Sequence, residues 1–595
     1  MAFLEILRKS TPILVTSALA LVVMLQAAGQ YVVAESFTAR FNFMPQGHLP
    51  LADSDCYKWG NVLRSGMWDW VDASEDPRAT GPVNIQWGLP TKIYLKTLLG
   101  VFSMFMVPSA AESWTLFFAM PVLVILLGAS ISFFCFFILR STPLACLLPF
   151  ALLLMPAIQS QLPPGRPDHH GPIVFASLMF ALSLFQPASK KNAWVYASVF
   201  ATLALWLSPL NFVPILGLLS LAFAMPKYFP LSEFAPSSAL FWRKWAISTS
   251  VLCALAWVVD YLPRGTQIHM ETLNPFWCLA VLGGGFVMSK LQEIPPFPWS
   301  WQTIARLAWA PLLALAPLTM LMSPEMFWTS SEEIRWVLKE VNEMKAGDLN
   351  TLFSVAPLIF VALVMLSSLP KHSGFLIIGF VAFAASSLYL WQIRWLPLAM
   401  IVPTVLLAVP ALIFPPPAKW GRLAIMALLA QSIWFTATSL RFSVENIKNP
   451  KGAPEMYNVA MFAAMASRMA KERGESLVLS SPNLTSGMFF MNGVRGIGSV
   501  YWESKKNLRF ASEIFGSLPS DEDRVRKILR EHNIKLLAIT PQVLDTAYVG
   551  MPGNWSKMDQ TLVVRLIKGE VPPWLNVVAR VNQPWPGLGL YEVVE

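Results

Sequence analysis

The sequence predicts a polytopic α-helical membrane protein of about thirteen transmembrane helices, followed by a small α/β domain outside the membrane. Three observations carry this. The chain has 595 residues, of which 55% are hydrophobic and 13% charged, with a mean hydropathy of +0.52. Soluble domains carry about 25% charged residues, so these charges are too few to cover a soluble surface of this size. Apolar runs of the length that crosses ~30 Å of hydrocarbon recur from residue 13 to residue 440. Past Asn449-Pro450 the pattern changes to alternating helix and strand. A soluble enzyme, a disordered scaffold and a secreted disulfide framework are excluded.

The candidate spans, in order, are 13–34, 113–139, 143–160, 171–187, 192–208, 210–226, 242–262, 273–290, 304–323, 351–369, 374–392, 395–414 and 421–440. The close pairs split at Ser208-Pro209 and at Arg394 are the least separated. Arg8 and Lys9 precede the first run without a small-residue cleavage site, which predicts an anchor rather than a removed signal. Residues 91–108 are amphipathic with lysines at one end, the pattern of an interfacial helix.

Loop charges orient the bundle. With the N-terminus in the cytoplasm, the inner loops hold Arg8, Lys9, Arg140, Lys190, Lys191, Lys227, Arg243, Lys244, Lys290, Arg306, Lys371, Lys419 and Arg422. The short outer loops hold Arg166, Arg264, Arg335, Lys339, Lys345 and Arg394. Thirteen against six follows the positive-inside rule, and an odd number of spans places the C-terminal part outside the cytoplasm. The net charge of +9 therefore reflects loops rather than a nucleic-acid partner. The five cysteines show no CxxC or metal spacing, and four of them sit in apolar runs.

The chain divides into a transmembrane part, 1–445, which includes outer loops 35–92 and 324–350, and an external α/β domain, 446–595. Within the latter, 455–473 and 521–533 read as helices; Ser476–Ser480, Lys535–Thr540, 575–581 and 588–594 read as strands.

Polar material gathers on the outer face. Loop 35–92 carries Asp53, Asp55, Asp69, Asp72, Glu75 and Asp76, and the loop after the third span reads QLPPGRPDHHGP. Asp168, His169 and His170 lie directly before an apolar helix, at its N-terminal mouth. Carboxylates near the bilayer cost free energy unless neutralised. A divalent cation between Asp55 and the Asp168/His170 pair would neutralise them, and oxygen/nitrogen ligation suits Mn²⁺ or Mg²⁺ better than a thiolate metal. The plainer alternative is that Asp168 caps the helix and the histidines sit at the interface.

In combination these features resemble the GT-C glycosyltransferases, specifically the catalytic subunit of oligosaccharyltransferase and, more closely, bacterial inner-membrane proteins related to it. The residues carrying the resemblance are Asp55-Cys-Tyr57 with Arg64, Trp68-Asp69, Gln86-Trp87 and Gly165-Arg-Pro-Asp168-His-His170. Weaker matches are Gln392-Ile-Arg394-Trp395 and Gly498-Ser-Val-Tyr501-Trp502.

The resemblance implies transfer of a sugar from a polyprenyl-phosphate or diphosphate donor to a glycan, lipid or protein acceptor at the periplasmic face of a bacterial inner membrane, with inversion. It assigns metal ligation to Asp55, Asp168 and His170, with Asp53 the fallback for the first. Asp55, Asp168 and Glu332 are the catalytic candidates; Tyr57, Arg64, Trp87 and Arg394 are the substrate-binding ones. Thr329-Ser-Ser-Glu332 matches the family's Thr-x-x-Glu spacing, with Glu333 an alternative, although an exposed helix N-cap gives the same pattern. Arg394 suits a lipid phosphate or a snorkelling interface residue equally. The family's Trp-Trp-Asp-Tyr-Gly acceptor motif is missing, which puts peptide asparagine as acceptor in doubt. A competing reading is a transporter or flippase, but such proteins place charged pairs near the midplane and often show internal repeats.

Overall fold

The computed structural model describes residues 10–41, 44–45, 47–51, 54–78, 81–85, 88–224, 234–264, 272–293, 418–448, 456–499, 504–540, 555–581 and 587–594, with Val402, Val405, Leu406 and Val409 between. Nine of the thirteen candidate spans coincide with helices there; 304–323, 351–369 and 374–392 lie outside the described residues, as does 395–414 apart from those four residues.

The first of these helices, α1, is Thr11–Phe41. After it come α2 (Ser54–Arg64), α3 (Leu89–Ser103) and α4 (Pro108–Phe133), the last continuing as a π turn, Phe134–Ile138. Both α3 and α4 begin with proline in the first turn, where its missing N–H costs nothing. The expected helix at 91–108 is α3, whose lysines bury Lys92 rather than leaving it at a solvated end. Next are α5 (Thr142–Leu153), α6 (His170–Ser183), α7 (Ala193–Leu207), α8 (Pro209–Ala224), α9 (Ala239–Ala256, extended by turns to Arg264), α10 (Pro275–Glu293) and α11 (Ala418–Lys448).

Three of the described helices are long and apolar enough to cross a membrane: Thr11–Arg40, Pro108–Ile138 and Ala239–Arg264. The candidates at 143–160 and 171–187 are shorter than their apolar runs, with helices of 12 and 14 residues. At ~1.5 Å per residue these cover less than a full hydrocarbon thickness. Helix α5 stops at Leu153, just ahead of Pro156, and α6 cannot begin before the polar loop ends at His170. Helix α1 packs on α11, α4 and α5, while α9 packs on α7 and α10.

The C-terminal part contains α12 (Met456–Glu472), β1 (Leu479–Ser480), α13 (Pro482–Asn492), α14 (Lys505–Phe515), α15 (Glu522–Glu531), β2 (Leu536–Ile539), α16 (Leu562–Lys568), β3 (Leu575–Val581) and β4 (Leu588–Val593). The strands form a sheet of order β1-β2-β4-β3, with β1 parallel to β2 and the other pairs antiparallel. Every residue of β2 is buried because the sheet has a core on each face. Leu537 and Ile539 pack with Leu529, Ile514 and Tyr591, whereas Leu536 and Ala538 pack with Phe462, Met488 and Leu590.

Candidate metal centre and its surroundings

The Asp-His-His triplet sits where a polar loop gives way to an apolar helix. Gly165 adopts φ +77°, a conformation that other residues rarely take, and its N–H donates to the Phe117 carbonyl of α4 (2.9 Å). Three residues further on, Asp168 is 1% exposed. Its Oδ1 accepts from the His169 backbone N–H (2.5 Å) and lies 2.5 Å from His169 Nδ1; its Oδ2 lies 3.5 Å from His170 Nε2 and 3.8 Å from Arg166 Nη2. Arg166 is braced by donating to the Ser160 carbonyl (2.9 Å). The two imidazole rings run side by side, centroids 4.3 Å apart. Burial raises the pKa of Asp168, but His169, His170 and Arg166 together outweigh it and hold the carboxyl well below its usual range.

Asp168, His169 and His170 each turn one ligand atom into a space where these atoms lie within 4.8 Å of one another. One buried carboxylate oxygen with two imidazole nitrogens fits a divalent cation such as Mn²⁺ or Zn²⁺, and no thiolate is involved. Sequence reasoning assigned His170 to this group and passed over His169, whose Nδ1 is the closer of the two to Asp168. The doubled histidine was the available signal; the family resemblance assigned only the second of the two.

Helix α4 touches both this loop and α2. Glu112, Leu116 and Met120 follow one another at single-turn intervals along it. A Cβ on Gly171, next to His170, would lie 2.4 Å from Met120 Sδ, so α6 starts in direct contact with α4. A Cβ on Gly60 of α2 would lie 3.2 Å from Leu116 Cδ1 and 2.5 Å from the Phe490 ring. Glu112 accepts two bonds from Arg64 (2.7 and 2.8 Å), with His48 Nε2 3.9 Å away.

The remaining sequence candidates divide as follows. Asp55 is on the first turn of α2, and its side chain lies outside the described part of the structure. Asp53, Trp87, Glu332, Glu333 and Arg394 likewise lie outside it. Tyr57 and Arg64 both pack against Phe490 of the C-terminal part. Tyr57 is 3% exposed, its hydroxyl accepting from Leu51 N–H (3.0 Å) and its ring packed against Phe490. Arg64, besides Glu112, donates to the Phe490 carbonyl (2.5 Å) and stacks over that ring at 4.0 Å. The reason is a partner that no local pattern announces: α13, from the far end of the chain, lies along α2, with Asn61 Nδ2 also donating to Ser486 O (3.1 Å).

The acidic stretch of loop 35–92 does not gather at the triplet as one group. Asp76 pairs with Arg78 (2.7 Å), while Asp72 and Glu75 are buried against Lys58 and the C-terminal part. Lys92 donates to the Asp69 carbonyl (2.8 Å) and Lys96 to that of Ser65 (2.6 Å), so α3 pins the loop from below.

No protein-family model matches the sequence, and no curated protein does. Solved structures do. The archaeal oligosaccharyltransferase AglB from Archaeoglobus fulgidus, in complex with an inhibitory peptide and a dolichol-phosphate, superposes with a TM-score of 0.62 at 11% identity, covering 97% of this chain and 80% of that one. The Archaeoglobus fulgidus enzyme tethered to an acceptor peptide containing the NVT sequon gives 0.60 at 13% identity over the same shares. Its complex with Zn and sulfate gives 0.56 at 13%, covering 95% of this chain and 79% of that one. The likeness is one of fold, and it runs nearly the full length of the chain.

Proposed function

We propose that this chain is a membrane glycosyltransferase of the GT-C type. It moves a sugar from a polyprenyl-phosphate or diphosphate donor to a glycan, lipid or protein acceptor at the periplasmic face of a bacterial inner membrane, with inversion. The observation that carries this reading is the Asp168 carboxyl, buried between two imidazoles at the mouth of α6. A structural helix cap needs one oxygen and one backbone N–H. Two histidines and an arginine converging on a single carboxylate exceed that requirement.

In this reading Asp168, His170 and Asp55 hold a divalent cation, Mn²⁺ or Mg²⁺, and the structure adds His169 to the set. When bound, the cation offsets the phosphate charge of the leaving group. The chain's own residues do the rest. Gly165 and Arg166 fix the loop that carries Asp168. Glu332 orients the acceptor, and Arg394 with Trp87 receives the lipid-linked donor. Arg64 and Tyr57 serve by holding α2, and with it Asp55, against α4 and α13. The thirteen-span topology, with 1–445 in the membrane and 446–595 outside it, supplies the face on which lipid and acceptor meet.

The test is genetic and chemical. Cells lacking the chain, complemented with the Asp168→Asn form, should accumulate a polyprenyl-linked sugar and lose one glycan; membranes of the wild-type strain should stop that transfer in EDTA and resume it with Mn²⁺. Full complementation by Asp168→Asn would overturn the assignment, and sugar accumulation inside sealed vesicles would favour transport.

A further inference from the structure

The first outer loop joins the C-terminal part of the chain by backbone pairing. Asp76 N–H donates to Gly496 O and Gly496 N–H donates to Ser74 O, both at 2.9 Å, with Glu75 and Gly496 forming a parallel bridge. This pairing drives the Glu75 side chain into the first turn of α14, where the residue is 3% exposed. Its Oε2 accepts from Ser504 Oγ (2.5 Å) and Asn507 Nδ2 (2.6 Å), both on fully buried residues. Its Oε1 is buried and, among the described residues, has no hydrogen-bond partner. Beside it stands Asp72, also buried, with Oδ1 occupied by the Ser74 N–H and hydroxyl and Oδ2 3.5 Å from Lys58 Nζ. Lys58 is on α2, one turn beyond Asp55.

An ionised Glu75 would set a buried oxygen that no described residue bonds beside a second carboxylate, whose own ammonium partner is Lys58. Such an arrangement is costly, because a buried charge needs both a counter-charge and full hydrogen bonding. Of the cations in this stretch, Arg78 is paired with Asp76, and Arg495 also lies close to Asp76. A protonated Glu75 removes the conflict between the two buried charges. Burial and Asp72 both push the Glu75 pKa up, against the hydrogen bonds that Asn507 and Ser504 give to Oε2.

We infer that Glu75 is a positioning residue that works as a neutral acid, joining the C-terminal part to Asp72 and Lys58 and so fixing helix α2 for the metal centre. The inference rests on the proposed role of Asp55 and the Asp-His-His triplet, and its chemistry is specific: glutamine at 75 reproduces the neutral acid, whereas alanine removes the joint.

The test uses the full-length protein in detergent micelles, as wild type, Glu75→Gln, Glu75→Ala and Asp168→Asn. Hydrogen–deuterium exchange reads segment 54–64, with 239–256 as the reference for an intact bundle, and electron paramagnetic resonance reads Mn²⁺ binding. Glu75→Gln should match wild type in both. Glu75→Ala should exchange about tenfold faster across 54–64 and bind Mn²⁺ about tenfold more weakly, with the reference helix unchanged. If Glu75→Ala is not recovered folded, Asn507→Ala replaces it, and a rise of about threefold in exchange is expected. Glu75→Gln behaving like Glu75→Ala overturns the inference, as does wild-type protection in Glu75→Ala. Unchanged Mn²⁺ binding in Asp168→Asn would sink the metal reading instead, and the exchange comparison then decides the role of Glu75 alone.

Discussion

The amide of Gly165 donates to the carbonyl of Phe117 across 2.9 Å, and that bond seats the Asp-His-His loop on helix α4. The geometry needs the left-handed backbone at Gly165, φ +77°. A side chain in that conformation costs about 1–2 kcal/mol. Gly165→Ala should therefore lower stability by about that amount, a small part of the whole, while disturbing the loop that presents Asp168. The expected outcome is a thermal midpoint lowered by a few degrees together with Mn²⁺ binding weakened about tenfold. A loss of stability with unchanged Mn²⁺ binding would show that the loop is not what places the carboxylate.

Within the triplet the two histidines address different oxygens of Asp168, Nδ1 of His169 to Oδ1 and Nε2 of His170 to Oδ2. Each is accordingly a separate ligand candidate. His169→Ala and His170→Ala should each weaken Mn²⁺ binding by about 10- to 100-fold, the range for loss of a supporting metal contact, and Asp168→Asn should abolish it. Titration of purified protein by electron paramagnetic resonance measures this. Equal binding by wild type and His169→Ala would return His169 to the structural role that the sequence suggested.

How much of this was legible in the sequence follows from chain distance. Asp168, His169 and His170 are consecutive, so their convergence needed only the apolar helix that follows them. The strands were legible for a similar reason: Lys535–Thr540 and 575–581 carry short apolar runs, and β2 and β3 fall on them. Helix α13 was not legible, because Ser481–Asn492 has neither a charged face nor a clear period against the polar turns beside it. Its packing against α2 was missed with it: Phe490 accepts from Arg64 across 426 positions. Glu75 meets Ser504 across 429 positions, and a lone acidic residue in an acidic loop gives no sign of such a partner.

The buried carboxyls make opposite predictions about pH. Asp168 is held low, so the stability it contributes is present above its unfolded value, about 3.9, and is lost only as pH falls through its lower native value. Glu75 is held high, so its contribution is complete below about 4.3 and is lost as pH rises through its raised native value. Thermal midpoints measured from pH 5 to pH 9 should decline on the alkaline side in the wild type, and Glu75→Gln should remove that decline. An identical alkaline slope in the two proteins would mean that Glu75 is already ionised.

Asp260 tests how the outer loop is tied to the bundle. It is wholly buried at the end of the α9 helix, where Oδ2 accepts from Leu89 N–H (2.8 Å) and Trp206 Nε1 (2.7 Å), and Oδ1 pairs with Arg264. Arg264 in turn lies over the Trp70 ring at 3.5 Å and donates to the Ile85 carbonyl (2.8 Å), so one buried pair braces both ends of the loop that contains Asp72 and Glu75. Asp260→Ala leaves the arginine charge buried and uncompensated, a defect that costs about 3–5 kcal/mol. Asp260→Ala/Arg264→Leu removes both charges and should recover part of that loss. A double-mutant cycle on thermal or chemical unfolding measures the coupling, expected at ~1–3 kcal/mol. If the two substitutions simply add, the pair is not the brace, and the loop owes its place to α13 and the C-terminal sheet instead.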